Sequence, residues 1–338
     1  MGLQSVLELG LQTWFGYIAI LLLVAVGSIE GFKAIYRLAS GVYVYFLRPG
    51  KSLKRLGSWA IVTGATDGIG LAYSKALAKK GLNVLLISRT QAKLDEAAAD
   101  IHFKYKVQAK TVAIDFSAAD AAAWERVKAK VEPLEVGVLV NNVGMSYPHA
   151  EYYDAIDDKL IEDLITMNIV STNKMTRLVL PGMKQRRRGA IVNIGSAVAT
   201  IAPAGPLYAV YAGTKMYVDM FSKSLDLEYR GAGITVQNQA PGFVATKLSK
   251  IRKASMEVPS PDTWAAAAVR HIGYESTSSP YWFHALQWAI VSSAPAAIVD
   301  FYMLTLNKGL RGKYYAKLKR EAAKAAGNGH AGAKDKGQ

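Results

Sequence analysis

The central part of the chain alternates between short apolar runs and longer amphipathic stretches. Six short runs lie between Ser58 and Gln239, and most of them are rich in Val, Ile and Leu. Between them, segments such as residues 70–81 and 91–106 place apolar side chains at helical spacing. Strands that are apolar throughout and alternate with helices are typical of a parallel sheet covered on both faces. The pattern therefore predicts an α/β fold, a doubly wound parallel sheet that binds ligands at the carboxyl ends of its strands. The predicted strands are WAIVT, NVLLIS, KTVAI, VGVLVN, AIVNI and ITVQNQ.

An uncharged stretch near the N-terminus is long enough to cross a membrane. Leu9 to Ile29 contains 21 residues without a formal charge, and a helix of that length, at ~1.5 Å per residue, spans about 30 Å. A cleaved signal peptide is the alternative, but the first ten residues contain no Lys or Arg. We therefore predict a luminal end and transmembrane anchor over residues 1–31 and a basic juxtamembrane linker over residues 32–56.

The charges beside the anchor predict its orientation. Glu8 is the one formal charge before the uncharged stretch, whereas six Lys and Arg residues follow it within residues 33–55. Cytosolic flanks of membrane helices carry an excess of Lys and Arg. The main body of the chain, predicted as one domain over residues 57–275, is therefore expected in the cytosol.

A second apolar stretch, residues 281–299, contains a histidine and a proline and is followed by many cations. If this stretch crossed a membrane, those cations would lie on the luminal side. We predict that residues 276–320 form an apolar helical extension that lies against the membrane or covers the substrate site, with an ordinary buried helix as the alternative. Residues 321–338 predict a disordered tail, whose ending KDKGQ is similar to the dilysine signal of the endoplasmic reticulum.

Composition narrows the partners and the chemistry. The chain has 338 residues, a formal net charge of +15 and 51% hydrophobic residues, which favours anionic partners and contact with lipid. The absence of cysteine excludes disulfides, thiolate metal sites and cysteine nucleophiles. The five histidines show no metal-ligand spacing, so no metal site is predicted. Nucleic acid is not favoured, because the basic residues form no binding motif interleaved with aromatic residues.

The motif TGATDGIG follows the first predicted strand and begins the first predicted helix. Glycines at such a turn let the backbone approach a pyrophosphate, and the helix N-terminus then faces the phosphate charge. The strand–turn–helix context therefore predicts a Rossmann-like dinucleotide site. Its candidate cofactor-binding residues are Gly64, Asp67, Gly68, Ile69 and Gly70.

The residue after the second predicted strand indicates which dinucleotide binds. A site for NAD typically has an acidic residue there, which binds the ribose 2′-hydroxyl. This chain has Arg89 instead, and a guanidinium suits a 2′-phosphate. NADPH is therefore the predicted cofactor, while a solvated cation at a helix start is the alternative reading of Arg89.

The motif YAGTK places Tyr211 four residues before Lys215, on the same face of a helix. A free phenol titrates near ~10, and an adjacent ammonium is expected to lower that pKa. Such a pair can protonate the oxyanion that forms when hydride adds to a carbonyl. Tyr208 lies seven residues from the lysine, too far for the tightest coupling.

These motifs occur together with others in one order. The glycine motif is followed by NNVG at residues 141–144, MNIVST around Asn168, NIGS ending at Ser196, YAGTK, and PGFVAT at residues 241–246. In this combination and spacing, residues 57–250 resemble the short-chain dehydrogenase/reductase family. The resemblance implies a Rossmann-like oxidoreductase that uses a nicotinamide cofactor.

The resemblance also implies roles for particular residues. Tyr211 would donate the proton, and Lys215 would lower the tyrosine's pKa and hold the nicotinamide ribose. Ser196 would orient the carbonyl, and Asn168 would maintain a water relay. The implied cofactor contacts, besides Tyr211 and Lys215, are Asp115 at the adenine, Asn142 in the cleft, and Val244 and Thr246 at the carboxamide.

The spacing of the serine departs from the family pattern. The family's serine commonly precedes the tyrosine by thirteen residues, whereas Ser196 precedes Tyr211 by fifteen. We predict two extra residues in the intervening loop, with Thr200 as a distant alternative to the serine.

Within the family, the N-terminal anchor, PGFVATKL and the apolar, basic C-terminus resemble the very-long-chain 3-oxoacyl-CoA reductases, relatives of the membrane 17-beta-hydroxysteroid dehydrogenases. The resemblance implies NADPH-dependent reduction of 3-oxoacyl-CoA to 3-hydroxyacyl-CoA in fatty-acid elongation. It also implies the endoplasmic reticulum membrane as location, and acyl-CoA, membrane lipid and other elongation enzymes as partners. A steroid or retinoid dehydrogenase and a non-catalytic elongase scaffold are the alternatives. Acyl chain length, product stereochemistry and oligomeric state, including a homodimer, stay open.

Overall fold

The computed structural model describes residues 2–331, and the chain divides into two compact units at Pro49 and Gly50. The first unit is dominated by one helix, α1 (Leu3–Val42), which continues as a π-helical turn, Tyr43–Leu47. Among the described residues, the segment Thr13–Leu47 is the one helix long and apolar enough to cross a membrane, with a mean hydropathy of 2.1 in its most apolar window. Helix therefore extends through the predicted linker as far as Leu47, because no proline occurs before Pro49 and Gly41 is the one weak helix former in residues 32–47.

Within residues 2–331, the second unit has a sheet of seven parallel strands in the order β3-β2-β1-β4-β5-β6-β7. The chain order reverses between β1 and β4, and such a switch point opens a cleft at the carboxyl ends of the strands. The six predicted strands are all present, and the added strand β7 is two residues long. The strands are β1 (Trp59–Thr63), β2 (Asn83–Ser88), β3 (Ala109–Ala113), β4 (Val136–Asn141), β5 (Gly189–Ile194), β6 (Ile234–Gln239) and β7 (Thr277–Ser278).

Helices cover both faces of this sheet, so the apolar strands are buried on both sides. On one face, Leu77, Leu94 and Trp264 pack against β1, β2 and β4. On the other face, Val127 and Met175 belong to the second part of the core. The helices around the sheet are α2 (Gly68–Lys79), α3 (Gln91–Tyr105), α4 (Ala121–Val131), α5 (Asp158–Ile165), α6 (Ser171–Arg186), α7 (Ala197–Thr200), α8 (Ala209–Tyr229) and α9 (Pro261–Arg270).

Two further helices follow the sheet. Helix α10 (Trp282–Ser293) ends before Pro295, and α11 (Ala296–Ala331) begins directly after that proline. The predicted extension is therefore a bent helical pair. The predicted tail is wrong as far as Ala331, because residues 321–331 are helical rather than disordered; their Ala and Lys content favours helix. The dilysine-like ending lies outside the described residues.

Candidate active site

The glycine motif forms a tight turn between β1 and α2. Gly64 and Gly68 adopt left-handed φ angles of +66° and +51°, which glycine tolerates best. At Gly70, a Cβ atom would lie 2.2 Å from the Gly64 carbonyl oxygen, so no side chain fits there. The Asn142 side-chain amide donates to the Thr63 carbonyl oxygen at 2.9 Å and so fixes the turn to the end of β1.

The other predicted residues of the motif lie around the N-terminus of α2. Asp67 caps the helix, because its Oδ1 accepts from the Gly68 N–H at 2.7 Å. Its second oxygen pairs with the Lys247 ammonium, and this contact is the largest cause of the lowered pKa of Asp67. Ile69 packs against the core beneath the turn. A Cβ at Gly68 would lie 3.3 Å from the Thr246 methyl, so the turn and the loop after β6 enclose one space.

The predicted adenine end of the cleft lies beside the ends of β2 and β3. Arg89 is 75% exposed, and its guanidinium lies 3.9 Å from the Asp115 carboxylate. Asp115 also accepts from the backbone and the hydroxyl of Ser117, and the hydroxyl is the largest cause of its lowered pKa. The Arg89 side chain is therefore accessible to a phosphate at this edge of the sheet.

The structure brings the predicted tyrosine and serine together. Ser196 follows the end of β5, Tyr211 lies in the first turn of α8, and the Ser196 hydroxyl is close enough to the phenol to affect its pKa. Burial raises the pKa of Tyr211, which the Ser196 hydroxyl partly offsets. Burial outweighs the other effects on this pKa, and Lys215, whose ammonium has another partner, is not among its causes. That the lysine lowers this pKa stays a prediction.

That partner is a backbone carbonyl. Lys215 is buried, its Nζ donates to the Ile194 carbonyl oxygen at 2.8 Å, and burial lowers its pKa to about 8. Asn168 lies nearby in a π-helical turn, where its amide donates to the Met145 carbonyl oxygen at 3.0 Å and its Oδ1 accepts from the Met145 N–H. A Cβ at Gly144 would lie within 3.4 Å of both the Asn168 and the Lys215 side chains, so the two groups meet there.

The two alternative residues have other neighbours, although Tyr208 also lies close enough to Tyr211 to raise its pKa. Tyr208 packs against Tyr147 with tilted rings whose centroids are 5.4 Å apart, and Thr200 accepts from the Asn238 amide. The segment between Ser196 and Tyr211 contains the short helix α7, which accommodates its length while both ends stay in place. Val244 is buried, and its carbonyl oxygen accepts from the Ser249 hydroxyl at 2.6 Å.

Two buried polar residues near the site were not predicted from the sequence. His284 of α10 accepts from the Gly242 N–H and donates from Nε2 to the Phe243 carbonyl oxygen, so α10 is fixed to the PGFVAT loop. Glu151 accepts from Arg311 Nε at 2.6 Å and from the Tyr315 hydroxyl at 2.5 Å. A histidine within an apolar stretch was the one visible signal; the partners of Glu151 lie too far along the chain to be paired by spacing.

The cleft fits a dinucleotide and carbonyl chemistry. The turn around Gly70 leaves space for a pyrophosphate, and a Cβ atom at this position would fill that space. Arg89 lies where the adenosine ribose of the dinucleotide is expected. The predicted catalytic side chains lie near the carboxyl ends of β4 and β5, where the nicotinamide half is expected. They are Tyr211, Ser196, Lys215 and Asn168. A phenol that can transfer a proton, placed beside a dinucleotide site, defines an oxidoreductase that acts on a carbonyl or hydroxyl group.

Comparison with known proteins agrees with this class. The sequence profile described as short chain dehydrogenase matches residues 58–257, and the chain belongs to that family. Its relatives include the human very-long-chain 3-oxoacyl-CoA reductase, 45% identical over 267 residues, which are 78% of this chain and 84% of the human protein. The zebrafish (Danio rerio) very-long-chain 3-oxoacyl-CoA reductase-B is 40% identical over 91% of this chain and 97% of its own.

Solved structures share the fold of the second unit. The short-chain dehydrogenase from Sphingobium yanoikuyae in complex with NADPH is 28% identical, with a TM-score of 0.61, and covers 72% of this chain and 95% of its own. The L-sorbose reductase from Gluconobacter frateurii complexed with NADPH and L-sorbose is 25% identical, with a TM-score of 0.58, and covers 67% of this chain and 97% of its own. The predicted Rossmann-like fold and the predicted family are therefore confirmed.

Proposed function

We propose that the protein is an NADPH-dependent reductase that converts very-long-chain 3-oxoacyl-CoA to 3-hydroxyacyl-CoA in fatty-acid elongation. The observation that carries this proposal is the meeting of Ser196, Tyr211, Lys215 and Asn168 beside the glycine turn, in a chain 40–45% identical to proteins named for that reaction. Membership in the family supports the reductase chemistry, and the relatives' names support the acyl-CoA substrate.

The side chains divide the reaction between them. Tyr211 donates its hydroxyl proton to the carbonyl oxygen as negative charge develops there, and Ser196, whose hydroxyl acts on the same phenol, orients that oxygen. Lys215 stabilises the phenolate that remains, because an ammonium favours a nearby anion. Asn168, fixed by Met145, holds the path along which a proton returns to the site.

The cofactor contacts follow from the cleft. When bound, NADPH supplies the hydride that adds to the 3-keto carbon. The turn at Gly64, Gly68 and Gly70 would hold the pyrophosphate, and Arg89 would bind the 2′-phosphate. Asp115 would contact the adenine, while Thr246 and Val244 would line the nicotinamide end.

The proposal includes a membrane location, with the anchor in the endoplasmic reticulum and the second unit in the cytosol. The apolar segment Thr13–Leu47 supports an anchor, and the basic residues after it support the orientation. Large apolar side chains on α10 and the start of α11 are also exposed, which supports contact with lipid. They are Leu286, Ile290, Ile298, Phe301 and Tyr302.

The test is an assay of the full-length protein in lipid nanodiscs. With NADPH, we expect reduction of a long-chain 3-oxoacyl-CoA, followed by NADPH absorbance and by mass spectrometry of the 3-hydroxyacyl product. Tyr211→Phe should lose about 10³-fold in kcat because the proton donor is gone, whereas Tyr208→Phe should retain activity. Reduction of a 17-ketosteroid or a retinal in preference to the thioester would support the alternative dehydrogenase. Full elongation in cells that contain only Tyr211→Phe would support a scaffold.

A further inference from the structure

A cavity of about 600 Å³ adjoins the proposed cofactor cleft at its outer end. Gly68 and Thr246 form the side that faces the glycine turn, and the loop after β6 and helix α11 form the other sides. Most of the charged residues that line it are basic. Among the described lining residues, Asp67 is the one acidic residue. The basic lining residues are Lys247, Lys250, Arg252 and Lys317.

The loop that carries three of these cations is held in an unusual conformation. Lys250 has a left-handed φ of +58°, which costs a non-glycine residue roughly 1 kcal/mol or more. Its ammonium donates to the Pro148 carbonyl oxygen at 2.6 Å and lies 5.9 Å from the centre of the Tyr314 ring. The loop after β6 is therefore attached both to the loop after β4 and to α11, so the cations keep their positions around the cavity.

Helix α11, which brings Lys317, is attached to the same region. The buried Glu151 carboxylate binds Arg311 and Tyr315, and the Asn307 amide donates to the Pro206 carbonyl oxygen at 2.8 Å. Tyr314 stacks on His149 at 3.8 Å. Lys317 lies one helical turn beyond Tyr314, so the contacts that fix the helix also fix the backbone that carries this 72% exposed cation. We name these contacts the Glu151 clamp.

We propose that this cavity binds the phosphate-bearing part of the coenzyme A thioester, an inference that rests on the proposed function. Four cations against one carboxylate favour a multiply charged anion. The glycine turn at one side is already suited to the cofactor's pyrophosphate. Lys247 pairs with Asp67, and Lys317 lies 3.6 Å from Glu321 in a solvent-exposed pair that a phosphate can replace, so Arg252 and Lys317 are the cations placed to bind a second set of phosphates. The volume is in the range of sites that enclose a ligand of this size.

The first experiment compares two thioesters of one 3-oxoacyl chain, the coenzyme A ester and the N-acetylcysteamine ester, which has no phosphate. For Arg252→Gln/Lys317→Gln, we expect KM for the coenzyme A ester to rise about tenfold, as for the loss of two partly exposed charge contacts. KM for the N-acetylcysteamine ester and KM for NADPH should stay unchanged. The matched control is Lys253→Gln/Lys319→Gln, which removes two exposed cations from the same loop and helix.

Three results would overturn the proposal: equal effects on both thioesters, a raised KM for NADPH in place of the coenzyme A ester, or equal effects of the control pair. A second experiment is independent of turnover. Titration calorimetry of free coenzyme A into the NADP⁺-saturated wild-type protein in nanodiscs should give binding that weakens with salt and weakens about tenfold in Arg252→Gln/Lys317→Gln. Absence of coenzyme A binding would refute the proposal that this cavity binds coenzyme A. A wild-type protein that binds coenzyme A but reduces neither thioester would refute the proposed function alone.

Discussion

Glu151→Gln removes one charge from the Glu151 clamp and keeps the size of the side chain. The carboxylate is 6% exposed and accepts hydrogen bonds from Arg311, Tyr315 and the backbone N–H of Tyr152. Its own N–H donates to the carbonyl oxygen of Leu207, just before the catalytic helix α8. The variant therefore tests how firmly α11 is attached to the active-site region.

The expected magnitude follows from the pKa. Burial raises the pKa of Glu151, but the hydrogen bonds from Tyr315 and Arg311 outweigh it and hold the pKa at about 2, against 4.5 for an ordinary glutamate. At about 1.36 kcal/mol per unit, the difference corresponds to about 3 kcal/mol. Arg311 is 34% exposed, so solvent screening reduces the expected loss to about 2 kcal/mol. This stabilisation is present above pH 4.5 and is lost as the pH falls from 4.5 through 2.

Hydrogen–deuterium exchange in nanodiscs measures this loss where it occurs. A loss of about 2 kcal/mol raises the population of the state with α11 detached by about 30-fold. We therefore expect amides of residues 305–318 to exchange about 30-fold faster in Glu151→Gln at pH 7. Amides of β1 and β4, in the centre of the sheet, should keep the wild-type rates, because they open only with the whole unit.

A matched control and a double-mutant cycle make the result decisive. Glu96→Gln removes an exposed carboxylate of α3 and should leave exchange in α11 unchanged. Arg311→Gln should resemble Glu151→Gln, and the double variant should add little, because both changes remove the same pair. Wild-type exchange rates in residues 305–318, or fully additive effects in the double variant, would refute the reasoning.

Four further predictions concern the site. Arg89→Gln should raise KM for NADPH about tenfold and leave KM for NADH nearly unchanged, as measured by steady-state kinetics with both cofactors; an equal change in both would contradict a 2′-phosphate contact. Gly70→Ala should abolish saturable NADPH binding in a fluorescence titration, because its Cβ would lie 2.2 Å from the Gly64 carbonyl oxygen. Since burial lowers the pKa of Lys215 from 10.5 to about 8, kcat/KM should fall as the pH rises above 8 and the ammonium is lost. The same burial makes the charge costly to the folded state at neutral pH, a cost relieved between pH 8 and 10.5. His284→Ala should lower the free energy of unfolding by about 2 kcal/mol, since it leaves buried groups such as the Gly242 N–H without their partner; an unchanged melting curve would contradict that role.

Much of the fold could be predicted because its information is local. The apolar runs that became β1, β2, β4 and β5 are buried on both faces, so periodicity alone identifies them. Strand β7 could not be found, since two residues carry no pattern. The prediction of a disordered tail was wrong as far as Ala331, because the Ala-rich residues before the glycines favour helix.

The site could be predicted only where its geometry depends on local spacing in the sequence. Tyr211 and Lys215 lie one helical turn apart, so their spacing in the sequence is their spacing in the structure. The proximity of Ser196 to Tyr211 depends on where β5 ends, and it was the family resemblance that indicated it. Neither the raised pKa of Tyr211 nor the Glu151 clamp follows from spacing, because burial and contacts between distant segments exist only in the folded chain.

The distance along the chain between the two halves of the Glu151 clamp bears on biosynthesis. Arg311 follows Glu151 by 160 residues, and at ribosomal rates of about 5–20 residues per second it is made roughly 10–30 seconds later. During that interval the Rossmann core can form while the buried carboxylate has no cation. Nascent chains that end early, before α11, would therefore leave the ribosome with the apolar N-terminal helix and a Glu151 carboxylate that lacks Arg311 and Tyr315, which favours their recognition by chaperones or proteases.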